Sequence, residues 1–154
     1  MAPSNCEDME VNYLNHEEFE IDVSPFAGYV GKLEGAVDTR DGDLNVVFVN
    51  DKYIRALNKA YRSKDKPTDV LSFIYDYDRD EEGIIGEVYI SVETAKRQAK
   101  DHKHPLSDEL TKLVIHGILH VHGYDHEKDE DYEKMYKVEK GVLGKLAGEK
   151  MLHV

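Results

Sequence analysis

Leu113-Val114-Ile115-His116-Gly117-Ile118-Leu119-His120-Val121 constrains the fold more than any other segment of the chain. It sets two histidines four residues apart inside a run that is otherwise apolar. On an α-helix such residues lie roughly 40° apart around the axis, one turn above the other. Leu110, Leu113, Val114, Gly117, Ile118 and Val121 form one apolar stripe, and Ile115 and Leu119 cover the other side. A helix that is apolar nearly all round belongs in the middle of a protein. Burying His116 and His120 there is costly unless each ring has a partner.

A metal ion would be such a partner. Gly123 permits the left-handed turn that commonly ends a helix, and the turned chain can carry His126 back over the same ion. The resulting pattern, His-x3-His-x2-Gly-x2-His, has the spacing of the metzincin protease motif, with Gly117 where that motif has its glutamate. Three neutral imidazoles suit Zn²⁺ and leave a fourth position for water, whose pKa the ion lowers to about 7. Nickel or iron would fit the same ligands. The missing glutamate removes the proton acceptor that peptide hydrolysis requires. His122 is offset around the helix and is expected not to be a ligand. His16, His102, His104 and His153 lack the spacing and are expected at the surface.

The rest of the chain alternates unevenly between strand and helix patterns. Strands are expected over 10–14, 44–49, 70–75 and 85–91. Val88 and Ile90 should face one side of the last, and Glu87, Tyr89 and Ser91 the other. Helices are expected over 25–36, over 51–61 with Asn50 as its cap, over 92–102, from 108 to about 122 with Ser107 as its cap, and over 129–147. Without strict βαβ alternation, this predicts an α+β fold, a mixed sheet with helices packed on it. At 154 residues the length predicts a single domain over 1–154.

Apolar residues at 40% and charged residues at 34% indicate a soluble, folded chain. No stretch approaches the roughly 20 apolar residues of a membrane span. The first residues carry neither a basic start nor an apolar run, and Cys6 is the one cysteine. Both features predict a cytoplasmic protein without an internal disulfide or a cysteine-built zinc site. The net charge of −12 argues against a general nucleic-acid binder. The charge is uneven, however: residues 51–75 carry 6 bases (Lys52, Arg55, Lys59, Arg62, Lys64 and Lys66) against 3 acids. Such a local field can matter more than the sum. Asp76, Asp78, Asp80 and Glu87 fall at EF-hand ligand positions, but Glu81 stands where the loop needs glycine and the flanks read as strands, so a solvated acidic loop is expected.

Three blocks resemble the YbeY family of metal-dependent endoribonucleases, the ribosomal-RNA maturation factors. They are His116 through His126 continuing from Asp129 to Met135; Leu57-Asn58 with Tyr61 through Phe73; and Gly86-Glu87-Val88-Tyr89-Ile90-Ser91. The resemblance spans roughly residues 44–145 and implies a zincin-like α+β fold built around a central metal-binding helix. It implies one metal ion held by His116, His120 and His126, with Arg62 as an important arginine. The implied activity is cleavage of single-stranded RNA in maturation of small-subunit ribosomal RNA and in ribosome quality control. Ribosomal proteins are candidate partners; DNA and membranes are not expected.

The residues allow roles to be named. Arg62 and His116 are the candidate catalytic residues, and Arg62 and Lys64 the candidate contacts to the RNA backbone. The planar fork of an arginine suits a phosphate oxygen or the charge developing on it. Asp69 and Asp125 could orient metal ligands. Tyr61 and Tyr124 could stack on bases, although core packing is the stronger expectation for both. Two other readings use the same residues: a metal hydrolase of a peptide or small ester, and a non-catalytic assembly factor whose metal is structural.

Overall fold

The computed structural model describes residues 9–75, 83–124 and 129–147. In chain order the elements are β1 (Met9–Asn15), α1 (Ser24–Ala36), β2 (Gly42–Val49), α2 (Asp51–Arg62), β3 (Val70–Ile74), β4 (Ile84–Ser91), α3 (Val92–Asp101), α4 (Leu106–Val121) and α5 (Asp129–Leu143). A 3₁₀ turn, Gly144–Ala147, follows. The strands form one mixed sheet in the order β1-β2-β4-β3. The β1–β2 and β2–β4 pairs are parallel, and β3 runs antiparallel along the edge of β4. The acidic segment 76–82, with the EF-hand-like aspartates, lies outside the described residues, as do His126 and His153.

β2 shows why the sheet is covered on both faces. Leu44, Val46 and Phe48 join the main core with α1, α4 and α5, whereas Val47 and Val49 pack with Ile54 of α2 and Leu71 of β3. A strand buried on both sides is apolar at successive positions rather than alternate ones. β4 keeps its predicted alternation: Val88 and Ile90 are fully buried, and Tyr89 packs on the α2 side.

α4 is the axle of the main core. Every residue from Glu109 to Leu119 is buried, which matches its all-round apolar pattern. It meets β3 and β4 at glycine. A Cβ at Gly117 would lie 2.3 Å from a methyl of Val88, and one at Gly86 would lie 2.6 Å from a methyl of Val121. Ser72 of β3 fastens the contact by donating a hydrogen bond to the Gly117 carbonyl at 3.2 Å.

Several boundaries differ from expectation. Ser107 does not cap α4: the helix begins at Leu106, and the Pro105 carbonyl accepts from the amides of Asp108 and Glu109. Ser107 is therefore inside the first turn, where its carbonyl accepts from the Thr111 hydroxyl. α5 ends at Leu143 rather than 147, because Gly144 takes a positive φ of 59°. Tyr61 is not a core residue but 69% exposed, its ring set edge-on to Phe73. Asn50 caps α2 as predicted, accepting from the Tyr53 amide at 2.8 Å.

Gly117→Ala is expected to lower stability. The side chain would add roughly 1 kcal/mol of helix propensity. A Cβ only 2.3 Å from Val88 forces an overpacking cost of about 1–3 kcal/mol. Denaturant titration of both proteins checks the sign, and a more stable variant would show that the helix–sheet contact yields freely.

Candidate metal centre

α4 and α5 place the histidine pair. His116 is fully buried and His120 half-buried, and their ring centroids lie 4.8 Å apart, edge to face. This is the one-turn stacking that the four-residue spacing predicts. His116 Nδ1 lies 3.4 Å from Oε2 of Glu139, a buried carboxylate on α5. With the proton on Nδ1, His116 donates to that carboxylate and its Nε2 keeps a lone pair for a cation. Carboxylates in this position fix the tautomer and raise the basicity of metal-binding histidines. Sequence reading missed Glu139, because 23 residues separate it from His116 and only the packing of α5 joins them.

Asp69 stands at the entry to β3, buried, accepting from the Val70 amide at 2.8 Å and from Gln98 Nε2 at 3.1 Å. Burial pushes its carboxyl pKa up; the two hydrogen bonds and the nearby His116 pull it back. His116 thus sits in the field of two buried carboxylates. Two adjacent imidazoles with carboxylate support are a donor set that fits a divalent cation. His126 and Asp125 fall outside the described residues. Gly123, just before them, has the expected positive φ, 92°.

The Arg62 segment is held by a buried amide. Ser63 ends α2 in the left-handed conformation, φ 57°, and the Lys64 amide donates to the carbonyl of buried Asn58. Asn58 Nδ2 donates in turn to the Lys66 carbonyl at 2.9 Å, and Arg55 pairs with Asp65 at 2.8 Å. Arg62 and Lys64 are both exposed, and their side chains make no hydrogen bond or ion pair among the described residues. The fold therefore fixes their backbone and leaves their charges available.

His102 is exposed, as expected, and His104 is partly buried, but both rings turn onto a buried acid. His102 Nδ1 and His104 Nε2 lie 3.0 and 2.6 Å from Oε1 of Glu109, which is fully buried in the first turn of α4. The turn after α3 folds back to bring them there, with Lys103 at φ 57° and the His104 amide donating to the Ala99 carbonyl. The three residues form a group that could hold a metal ion. The available signal was a glutamate on a helix too apolar to bury it without partners.

His122 turns back onto its own helix. Its Nδ1 lies 2.9 Å from the Ile118 carbonyl, and it lines an open cleft of about 300 Å³ with Asp38, Gly123, Tyr124, Asp131 and Lys134. Tyr124 packs partly buried against the core, as expected. Among the described residues, no helix is long and apolar enough to cross a membrane.

The Endoribonuclease YbeY family model matches residues 6–147. The chain belongs to the YbeY family. It is similar to Endoribonuclease YbeY of Aquifex aeolicus, 46% identical over 113 residues, 73% of this chain and 75% of that one. With Endoribonuclease YbeY of Oceanobacillus iheyensis it shares 35% identity over 150 residues, covering 92% of this chain and 96% of the relative. The solution structure of a Thermotoga maritima protein matches with a TM-score of 0.57 and 28% identity, over 88% of this chain and 90% of that one. The α+β architecture, a small mixed sheet around a buried helix, is thus the fold of this family as well as the reading of the sequence.

The cleft histidine gives this YbeY-family chain a pH-dependent stability. Burial, and secondarily the Arg40 charge, lower the His122 pKa from its ordinary 6.5, against the opposing bond to Ile118. The folded state then binds fewer protons than the unfolded state below that value. The contribution is fully present above about pH 6.5 and is lost as pH falls through the lowered folded value. Denaturant midpoints between pH 7.5 and 5 should fall less for His122→Asn than for wild type. Parallel losses would remove His122 from the account.

Proposed function

We propose that this protein is a zinc-dependent endoribonuclease that cuts single-stranded RNA in the cytoplasm, acting on small-subunit ribosomal RNA during maturation and quality control. The observation that carries the reading is the His116–His120 pair, set one turn apart, with His116 fully buried and Glu139 at its Nδ1. Membership of a family whose relatives are named Endoribonuclease YbeY supports RNA as the substrate. Nickel or iron would suit the same imidazoles, and zinc is the ion that three neutral histidines favour.

His116, His120 and His126 would hold the ion. When bound, it would supply a Lewis acid and a water that ionises near neutral pH. Glu139 orients His116 through Nδ1, so that Nε2 faces the site. Arg62 presents its planar fork to a phosphate, binding the RNA and stabilising the extra negative charge of the transition state. Lys64 adds a flexible point charge along the backbone. Gly117 contributes by what it cannot be: the tight approach to Val88 excludes a glutamate there, so the metzincin general base has no place in this fold.

Cleavage of a labelled single-stranded RNA by wild type and His120→Ala, with zinc and with chelator, tests the reading. Metal-dependent cutting by wild type alone is expected. Equal cutting by both would expose a contaminating nuclease, and turnover of peptides with RNA untouched would transfer the site to another hydrolase. Arg62→Ala should lose about 10²–10³ in rate with metal content unchanged, the usual scale for one lost transition-state contact. Wild-type cutting by that variant would end the role given to Arg62. Glu139→Gln should weaken zinc affinity about 10–100-fold, read by competition with a chromogenic chelator; unchanged affinity would mean that Glu139 does not support a metal ligand.

A further inference from the structure

We propose that His102, His104 and Glu109 form a second cation site, suited to zinc, separate from the histidine pair of α4. The argument begins with a carboxylate that hydrogen bonds leave half satisfied. Glu109 is fully buried, and both imidazoles approach the same atom, Oε1. Its other oxygen, Oε2, is buried and has no hydrogen-bond partner among the described residues. Lys112, one turn further along α4, makes no ion pair with it among those residues. A buried carboxylate compensated on one oxygen is an expensive arrangement. A divalent ion seated among the three side chains neutralises the whole group and offers Oε2 a ligand position as well.

The donors fit such an ion. One atom from each residue lies within 4.8 Å of the other two, so small side-chain rotations bring all three to the usual zinc distances of about 2.0–2.2 Å. Two nitrogens and one oxygen favour zinc over calcium or magnesium, which take oxygen ligands. The site is framed before any ion arrives. The His102 amide donates to the Gln98 carbonyl at 2.8 Å and the His104 amide to that of Ala99 at 3.0 Å, while Glu109 belongs to the first turn of α4. The His102 side chain is 45% exposed, so an ion can enter from solvent and keep water in its open positions.

Glu109 and His116 are seven residues apart on α4, about 10 Å along the axis. The second ion would therefore clamp the end of α3 to the start of the helix that carries the first. By linkage, any ligand bound only by the folded state raises stability.

Metal-free full-length protein titrated with zinc alone, against a competing chelator, decides the matter. Wild type should bind two equivalents. His120→Ala should keep one, and that one should be weakened at least tenfold by His102→Ala, a substitution at an exposed side chain that leaves the core intact. Glu109→Gln should remove the same equivalent, and cobalt substituted at this site should lose its visible absorption in parallel. If His102→Ala changes neither the number nor the affinity of bound ions, the proposal is overturned and the group is a hydrogen-bonded clamp only. If wild type binds one ion that survives His120→Ala and is lost with His102→Ala, this site stands and the reading of the α4 pair falls. If the single ion shows the opposite pattern, the α4 pair stands and this site falls.

Discussion

Helix α4 lies on the sheet with almost no space between them, and the rest of the molecule is arranged around that contact. Gly117 and Gly86 remove side chains where a methyl would collide with Val88 or Val121. Ser72 then bonds the helix carbonyl from the sheet. Once α4 is seated, its opposite flank must be covered, which α1, α3 and α5 do. That covering buries His116 and delivers Glu139 to its ring. A looser contact would leave the imidazoles in water, where neither their tautomer nor their direction would be set. It would also leave space for a glutamate at position 117, and with it a different chemistry.

Buried carboxylates recur beside the histidines of this helix. Glu139 and Asp69 act on His116 near its middle, and Glu109 gathers His102 and His104 at its start. In each place an acid that would be costly alone is offset by groups from another element. The polar chemistry of the protein is thus concentrated along its most apolar helix. A low-dielectric setting strengthens each of these interactions and makes each unpaired group more costly.

The charge pattern is organised on the same logic at the surface. The chain is acidic overall, yet Arg62 and Lys64, at the end of α2 where buried Asn58 pins the chain, make no side-chain hydrogen bond or ion pair among the described residues. Arg55 and Arg97, by contrast, are held by Asp65 and Asp51. An arginine on a fixed backbone, with no ion pair among the described residues, is able to meet an anion without first giving up one of those contacts.

Much of this was legible in the sequence. The all-round apolar pattern placed α4 at the centre, the four-residue spacing stacked His116 on His120, and Gly123 marked the left-handed turn, because helix periodicity and backbone sterics act between near neighbours. Helix ends were less legible: Pro105 displaced Ser107 as the start of α4, and Gly144 cut α5 short, since several nearby residues compete for each boundary. Asp69 was named as an orienting acid and does lie in the field of His116, but the partnerships of Glu139 and Glu109 and the exposure of Tyr61 could not be read in this way. They depend on which faces of separate elements meet. Local sequence specifies the element and its apolar stripe, whereas the pairing of a buried acid with a distant imidazole is decided only when packing removes water from both.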